Sequence, residues 1–307
     1  MRQNLRTNLF NEFLNYFWLR PENAIIFTLK GEKLFQTKKF IKNISMDVAC
    51  GNGIFSFITF GGRVKKTEDM YLDLDYGKKD IYDKPSKLKK EIILKSPNIT
   101  FTYGSDWKKN LLQKSKNLQI YSKTLLHDNN RPFKFKNDSF NYIYSSSTYW
   151  VKNFEMHIYN LLDIIKPGGK LILTLKTNEL GNYTIKNLFK KKFDNSFYKI
   201  LDDGREKSWR GLRNFNQYYK IFKNYKNCKI KSIYPLYDSE IAYIWDVGLR
   251  PIIRPLTFMS NNLSLKNRSI SKRLMIERWN EIFGKYLKNY IPNKKKTVEW
   301  FFEIEKL

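Results

Sequence analysis

The stretch Ser45-Met46-Asp47-Val48-Ala49-Cys50-Gly51-Asn52-Gly53 decides the fold. A short apolar run carries an acid, breaks into two glycines one residue apart, and turns apolar again from Ile54. That pattern fits a buried parallel strand running into a tight turn and a helix N-terminus. Glycines let backbone approach a ligand, and a helix start offers free N–H groups to it. By itself a G-x-G turn suits any nucleotide-binding fold, so its companions along the chain carry the decision.

Downstream the sequence alternates between the two periodicities. Ile99 to Tyr103 reads as a strand and Trp107 to Leu118 as an amphipathic helix, with Leu111, Leu112, Ser115 and Leu118 on one face. Thr124 to Leu126 is a short strand ending at His127-Asp128, and Phe140 to Tyr144 is another. Phe154 to Ile165 is a helix stopped by Lys166-Pro167-Gly168-Gly169, and Lys170 to Leu175 is again a strand. Strands alternating with helices predict a parallel sheet covered on both faces. Upstream, Leu9, Phe10, Phe13, Leu14, Phe17 and Trp18 recur at helical spacing, and Pro21 ends that helix or starts a turn. Towards the C-terminus, Lys229 to Tyr237 and Glu240 to Trp245 are predicted strands. A helical stripe from Met275 to Tyr290 and a last strand, Val298 to Ile304, follow.

With these motifs in this order, Ser45 to Thr177 resembles the class I S-adenosylmethionine-dependent methyltransferases of the type 11 kind, with an insertion before the second strand. Asp47 to Gly53 matches the family's acid-x-G-C-G-x-G turn, with Ala49 in place of the first glycine. Arg131-Pro132-Phe133 through Asp138-Ser139-Phe140-Asn141-Tyr142-Ile143 resembles its L-P-F…D-x-S-F-D-x-I stretch. Leu162 to Gly169 resembles its L-K-P-G-G turn. The resemblance implies a Rossmann-like, seven-stranded, mostly parallel α/β sheet with helices on both faces, plus an insertion and a helical cap. It implies S-adenosyl-L-methionine as cofactor. The organisation that follows is an N-terminal helical segment (1–44), a cofactor-binding core (45–177, with insertion 61–98), a helical cap (178–228) and C-terminal strands and helix completing the sheet (229–307).

In such a sheet the second strand ends in an acid that takes both ribose hydroxyls, for which a carboxylate's two oxygens suit a vicinal diol. Two stretches compete. Tyr71-Leu72-Asp73-Leu74-Asp75 lies at nearly the expected distance, but no apolar helix stripe follows it. Tyr103-Gly104-Ser105-Asp106-Trp107 ends in an acid followed at once by an amphipathic helix, so Asp106 is preferred over Asp75 and Trp107 becomes a candidate to pack on adenine. The implied cofactor set is Asp47, Ala49, Cys50, Gly51, Asn52, Gly53, Asp106, Trp107, Asp128, Asn129 and Ser145. Within it Asp128 would accept from the adenine amino group.

The acceptor is less legible. Ser145-Ser146-Ser147-Thr148-Tyr149-Trp150 follows the fourth strand where base-amine methyltransferases carry N/D-P-P-Y, which argues against that substrate class. A small molecule or glycan methylated at a hydroxyl is the expectation. Tyr149 and His157 are the catalytic candidates, each balanced by a bland reading: an aromatic packing under the cap, and a helical histidine. Arg20 and Arg250 either bind an anionic substrate or brace domains.

A formal charge of +28 tempts towards nucleic acid, hence the alternatives of an RNA methyltransferase or a non-catalytic basic nucleic-acid-binding protein on the same scaffold. The chain is equally rich in Lys, Asn, Ile, Phe and Tyr together, the signature of an AT-rich genome, which makes lysine a default surface residue. The 2 cysteines form no disulfide framework, no Cys/His spacing suits a metal, and no apolar run reaches membrane-spanning length. A cytoplasmic protein is expected.

Overall fold

The computed structural model describes residues 2–74, 92–189, 209–248 and 252–307. Helices α1 (Arg2–Tyr16) and α2 (Pro21–Gln36) precede β1 (Ser45–Val48) and α3 (Ile54–Thr59). Strands β2 (Arg63–Val64) and β3 (Ile93–Lys95) come next, then β4 (Phe101–Asp106), α4 (Lys109–Asn117), β5 (Tyr121–Leu126) and β6 (Phe140–Ser145). The chain continues through α5 (Phe154–Ile164), β7 (Ile165–Lys176), α6 (Ile185–Phe189), α7 (Phe215–Asn224) and β8 (Cys228–Asp238). It ends with α8 (Ser239–Tyr243), α9 (Ile253–Asn261), α10 (Leu265–Asn289) and β9 (Thr297–Lys306).

Seven strands form one sheet in the order β5-β4-β1-β6-β7-β9-β8. All run parallel except β9, which is antiparallel to both neighbours. This is the Rossmann-like architecture expected from the glycine turn and its companions. The strand beside β1 is β4, and Met70 to Asp73 is a short 3-10 turn outside the sheet. Asp75 lies outside the described residues.

Two-residue alternation divides the sheet's side chains between two cores. Met46, Val48, Ile143, Leu171, Leu173, Phe302 and Ile304 face one layer, where α5 and α7 bring Phe154, Leu161, Tyr218 and Phe222. Tyr142, Tyr144, Ile172 and Phe301 face the other, where α1, α2, α3 and α10 supply Phe10, Phe13, Ile25, Phe57 and Leu287. Each fully buried large apolar side chain contributes roughly 1.5–3 kcal/mol. Burial on both faces explains why the central strands read as apolar runs rather than alternating ones.

The excursion between α3 and β4 leaves and returns at one point, where Asn98 N–H donates to Phe60 O at 2.8 Å. Within it β2 and β3 pair antiparallel. Its charges do not simply face water. Asp69 is buried and held by Arg268 of α10 through two bonds of 2.8 and 2.9 Å, which ties the excursion to the long helix.

One expected strand is a helix. Glu240 to Trp245 alternates like a strand, but Asp238 caps a helix by accepting from Glu240 N–H at 3.1 Å. The chain then runs through α8 into a π-helical turn, Ile244–Gly248. Helix α2 lies within the stretch 1–44 expected to be helical, although the sequence left open whether Pro21 ends a helix or starts a turn. Pro21 is its first residue, where a missing N–H costs nothing.

Candidate functional site

A cavity of about 590 Å³ opens over the C-terminal ends of the parallel strands, within the range of ordinary ligand sites. Open α/β sheets bind ligands at that edge. The turn after β1 contributes Ala49, Cys50, Gly51 and Asn52, and the end of β4 contributes Asp106, Trp107 and Lys108. The segment after β5 contributes Asp128, Asn129 and Asn130, and that after β6 contributes Ser146, Ser147, Tyr149 and Trp150. Lys176, the last residue of β7, and a wall from α1, α2, Met70 and Trp245 close it.

The turn's geometry follows from its sequence. Ala49, Gly51 and Gly53 all have positive φ, 57°, 59° and 78°, a conformation for which glycine is the default residue. A Cβ on Gly51 would meet nothing within 4 Å, so this stretch of backbone faces open space. Gly51 N–H donates to Asp106 Oδ2 at 2.9 Å, and Lys108 N–H donates to Asp106 Oδ1, also at 2.9 Å. The carboxylate thus keeps acceptor capacity for a ligand. Burial raises the Asp106 pKa, with the backbone N–H groups of Lys108, Gly51 and Trp107 and the Lys108 charge opposing the rise.

Asp47 sits beneath the turn and does not line the cavity. Its Oδ2 accepts from Ser56 Oγ at 2.5 Å and Tyr121 OH at 2.6 Å. Desolvation pushes its pKa from 3.8 up to about 6 against those two bonds, with the Asp106 charge adding to the rise. Gly104 pairs with Asp47 across β1 and β4, and a Cβ there would lie 2.5 Å from the Tyr121 ring. The glycine two residues before Asp106 therefore makes room for the ring that holds Asp47. Gly53 is likewise off the lining, packed against Ser115, Ile120 and Tyr121. Asn52 lines the cavity and ties the turn to α1 by donating from Nδ2 to Tyr16 OH at 2.9 Å.

The other expected residues divide in the same way. Trp107 is 61% exposed at the rim. Asp128 and Asn129 line the cavity, and Asp128 accepts from Asn130 N–H and Nδ2, which holds its pKa below the ordinary value. Ser145 is turned inward, donating to Val48 O at 3.2 Å, and its place on the lining is taken by Ser146 and Ser147. Tyr149 faces the cavity, and its backbone is pinned by Gly211 N–H donating to Tyr149 O at 2.7 Å. His157 is buried on α5 away from the lining, and burial drives its pKa down to about 4. It therefore stands apart from the residues that the cavity brings together. Arg20 both lines the cavity and braces it, donating to Glu22 at 2.7 Å and to Trp245 O at 3.3 Å; Arg250 lies outside the described residues.

Sequence reasoning missed the wall contributed by Asn23, Lys30, Phe55, Lys176 and Trp245. Lys30 carried no signal because α2 is buried on nearly every side and so has no polar face. Lys176 had one: it is the last residue of an apolar strand at the edge where ligands bind.

Neither the family models nor the curated proteins give a match to this chain. Solved structures do resemble it. An S-adenosylmethionine-dependent methyltransferase from Mesorhizobium loti aligns at 10% identity and TM-score 0.45, over 91% of this chain and 100% of that one. A geranyl diphosphate methyltransferase in complex with SAM aligns at 6% identity and TM-score 0.45, over 94% and 90%. The [4+2]-cyclase SpnF aligns at 10% identity and TM-score 0.46, over 91% and 81%. No His/Cys/Asp/Glu group suited to a metal ion occurs among the described residues. No helix among them is long and apolar enough to cross a membrane.

Proposed function

We propose that this chain is an S-adenosylmethionine-dependent methyltransferase acting on a small-molecule or glycan acceptor, at a hydroxyl. The observation that carries the reading is Asp106. It ends the strand next to β1, one oxygen fixes the open Gly51 backbone, and the carboxylate keeps acceptor capacity beside the cavity. That is a receptor for a vicinal diol such as a ribose. Trp107, exposed at the rim, offers a flat face for a purine, and Asp128 and Asn129 offer groups for its polar edge. The open backbone at Gly51 leaves room for the amino-acid portion of the cofactor.

When bound, the cofactor supplies a methyl group on a sulfonium, which leaves as a neutral thioether. The chain then has to align the acceptor oxygen, exclude water and take one proton. Tyr149 lines the cavity after β6 with Ser146 and Ser147, and as the phenol among these hydroxyls, held by Gly211 and stacked on Trp150 at 5.0 Å, it is the candidate to take or relay that proton. The charged residues on the α2 and β7 side of the cavity are cationic, which favours the oxyanion that develops on a hydroxyl acceptor.

Calorimetric titration with S-adenosylhomocysteine is the test. The unmodified protein is expected to bind it, and Asp106→Ala to abolish binding while thermal unfolding stays cooperative. Salt-dependent RNA binding by a protein that binds no S-adenosylhomocysteine would overturn this reading in favour of a non-catalytic nucleic-acid-binding role.

A further inference from the structure

The part of the cavity away from Asp106 combines an apolar body with a charged end. Phe17, Ile26, Phe27, Phe55 and Met70 make the apolar part. Beside them stand three cations, Arg20, Lys30 and Lys176, whereas the carboxylates on the lining, Asp106 and Asp128, stand at the end of β4 and after β5, together with Lys108. Sheet order puts three strand intervals between β4 and β7. At about 4.8 Å each, Lys176 stands roughly 14 Å across the site from Asp106.

The way these cations are held is informative. Lys30 is 4% exposed, and its Nζ lies 2.7 Å from Glu299 Oε1 on β9. Glu299 is fully buried behind the wall and does not reach the lining. Arg20 is paired at 2.7 Å with Glu22, which is also buried behind the lining. Twice, then, the cation meets the cavity while its carboxylate stands behind it. Lys176 is fixed differently, with Nζ 4.7 Å from the Tyr149 ring centroid and 5.1 Å from that of Trp245. Two aromatic faces orient the ammonium through their ring quadrupoles. Against the burial of Glu299, its charge joins that of Lys30 in holding the Glu299 pKa below its ordinary value, so for Lys176 too the carboxylate stands behind the wall. Lys176 is close enough to Lys30 for its charge to add to the burial that lowers the Lys30 pKa.

Resting on the methyltransferase reading above, we propose that the acceptor carries an anionic group, carboxylate or phosphoryl. That group docks against Lys30, Lys176 and Arg20, with the acceptor's apolar body against Phe17, Phe27, Phe55 and Met70. A neutral group of the same shape would meet ammonium groups that it satisfies less well than water does. The charged end lies beside Tyr149, so the reacting hydroxyl is placed between the anionic group and the methyl donor.

The test uses full-length protein saturated with S-adenosylhomocysteine, titrated calorimetrically with 3-(4-hydroxyphenyl)propanoate, its amide, and 2-(4-hydroxyphenyl)ethyl phosphate. The acid or the phosphate is expected to bind at least tenfold tighter than the amide, and which of the two wins identifies the anion. Lys176→Met should reduce the preference to below threefold with affinity for S-adenosylhomocysteine unchanged. A Lys30→Met/Glu299→Gln double variant, which leaves no buried carboxylate unpaired, should do the same, with thermal unfolding checking both folds. Equal binding of acid, phosphate and amide, no binding of any of them, or a preference that survives both variants overturns the proposal. Failure of S-adenosylhomocysteine itself to bind refutes the underlying reading instead, so the two failures are distinguishable.

Discussion

Replacing Asp47 by asparagine should stabilise this protein at neutral pH and change little near pH 4. In the folded chain the carboxyl is buried, and lost hydration outweighs the bonds from Ser56 and Tyr121, raising its pKa from 3.8 to about 6. Unfolded, it titrates at its ordinary value. Between those two values the folded state binds more protons than the unfolded state, so the folded protein gains stability as pH falls through that window. Above it, the ionised carboxylate costs the fold a separation of about two pKa units, or ~3 kcal/mol. Asparagine keeps an oxygen for Ser56 and Tyr121 and carries no charge. Urea unfolding of both proteins in half-unit steps from pH 4 to pH 8, at constant ionic strength, isolates the effect because the other carboxylates cancel in the difference. The variant's advantage should be near zero at pH 4, rise through pH 5–6, and level off at ~2–3 kcal/mol by pH 7. A pH-independent difference, or a variant less stable at pH 7, would show that the hydrogen bonds to the carboxylate outweigh its desolvation.

Two further substitutions probe the scaffold around the site. Arg268→Ala leaves the buried Asp69 without its two strong donors, and the expected loss is ~3–5 kcal/mol in urea unfolding, towards the low end because Lys272 remains 3.5 Å from Asp69; an added Asp69→Asn should recover part of it. Gly104→Ala puts a methyl 2.5 Å from the Tyr121 ring, so it should cost ~1–3 kcal/mol of stability and weaken S-adenosylhomocysteine binding measured by calorimetry, because the ring that anchors Asp47 must move.

What the sequence disclosed and what it hid have physical reasons. The glycine turn and the strand ending at Asp106 were legible because their requirements are local: positive φ, an acid at a strand end, an amphipathic helix immediately after. The bounds of helix α2 within the helical stretch 1–44 were not legible because it is buried around most of its circumference, including Glu22, Lys30 and Glu32. Charged residues on a helix normally mark its wet face. Here they pair with Arg20, Glu299 and Arg6, and the Glu299 partner lies at the far end of the chain. No local pattern reports such a pairing. The error at Glu240 to Trp245 has the opposite origin, since strand-like alternation was overridden by one capping aspartate, Asp238. Within the site, residues reading as cofactor contacts separated into those that meet the cavity, such as Gly51 and Asp106, and those that hold them in place. Asp47, Gly53 and Ser145 belong to the second group because their side chains or Cβ positions turn towards β5, α4 and β1.

The buried charges share a logic. A chain selected for stability alone gains little from desolvating Asp47, or from burying Lys30 against Glu299, because well-packed apolar side chains do as well or better in such places. Lys30 lines the cavity, Asp47 stands behind it, and their signs are opposite. Asp47 lies under the glycine turn with Asp106 close by, whereas Lys30, Lys176 and Arg20 stand on the α2 and β7 side. Cations alone stand on the α2 and β7 side of the lining, whereas the end of β4 brings the Asp106 carboxylate together with Lys108. Under the proposed function, the Asp106 receptor would take the methyl donor on the β4 side and the three cations an anionic acceptor on the β7 side. The donor's positive charge would disappear as the methyl leaves, and the acceptor hydroxyl would lose its proton within reach of two ammoniums and a guanidinium. Reversing one end alone, by exchanging Lys176 for a carboxylate, would leave the diol receptor at Asp106 intact and remove the ordering.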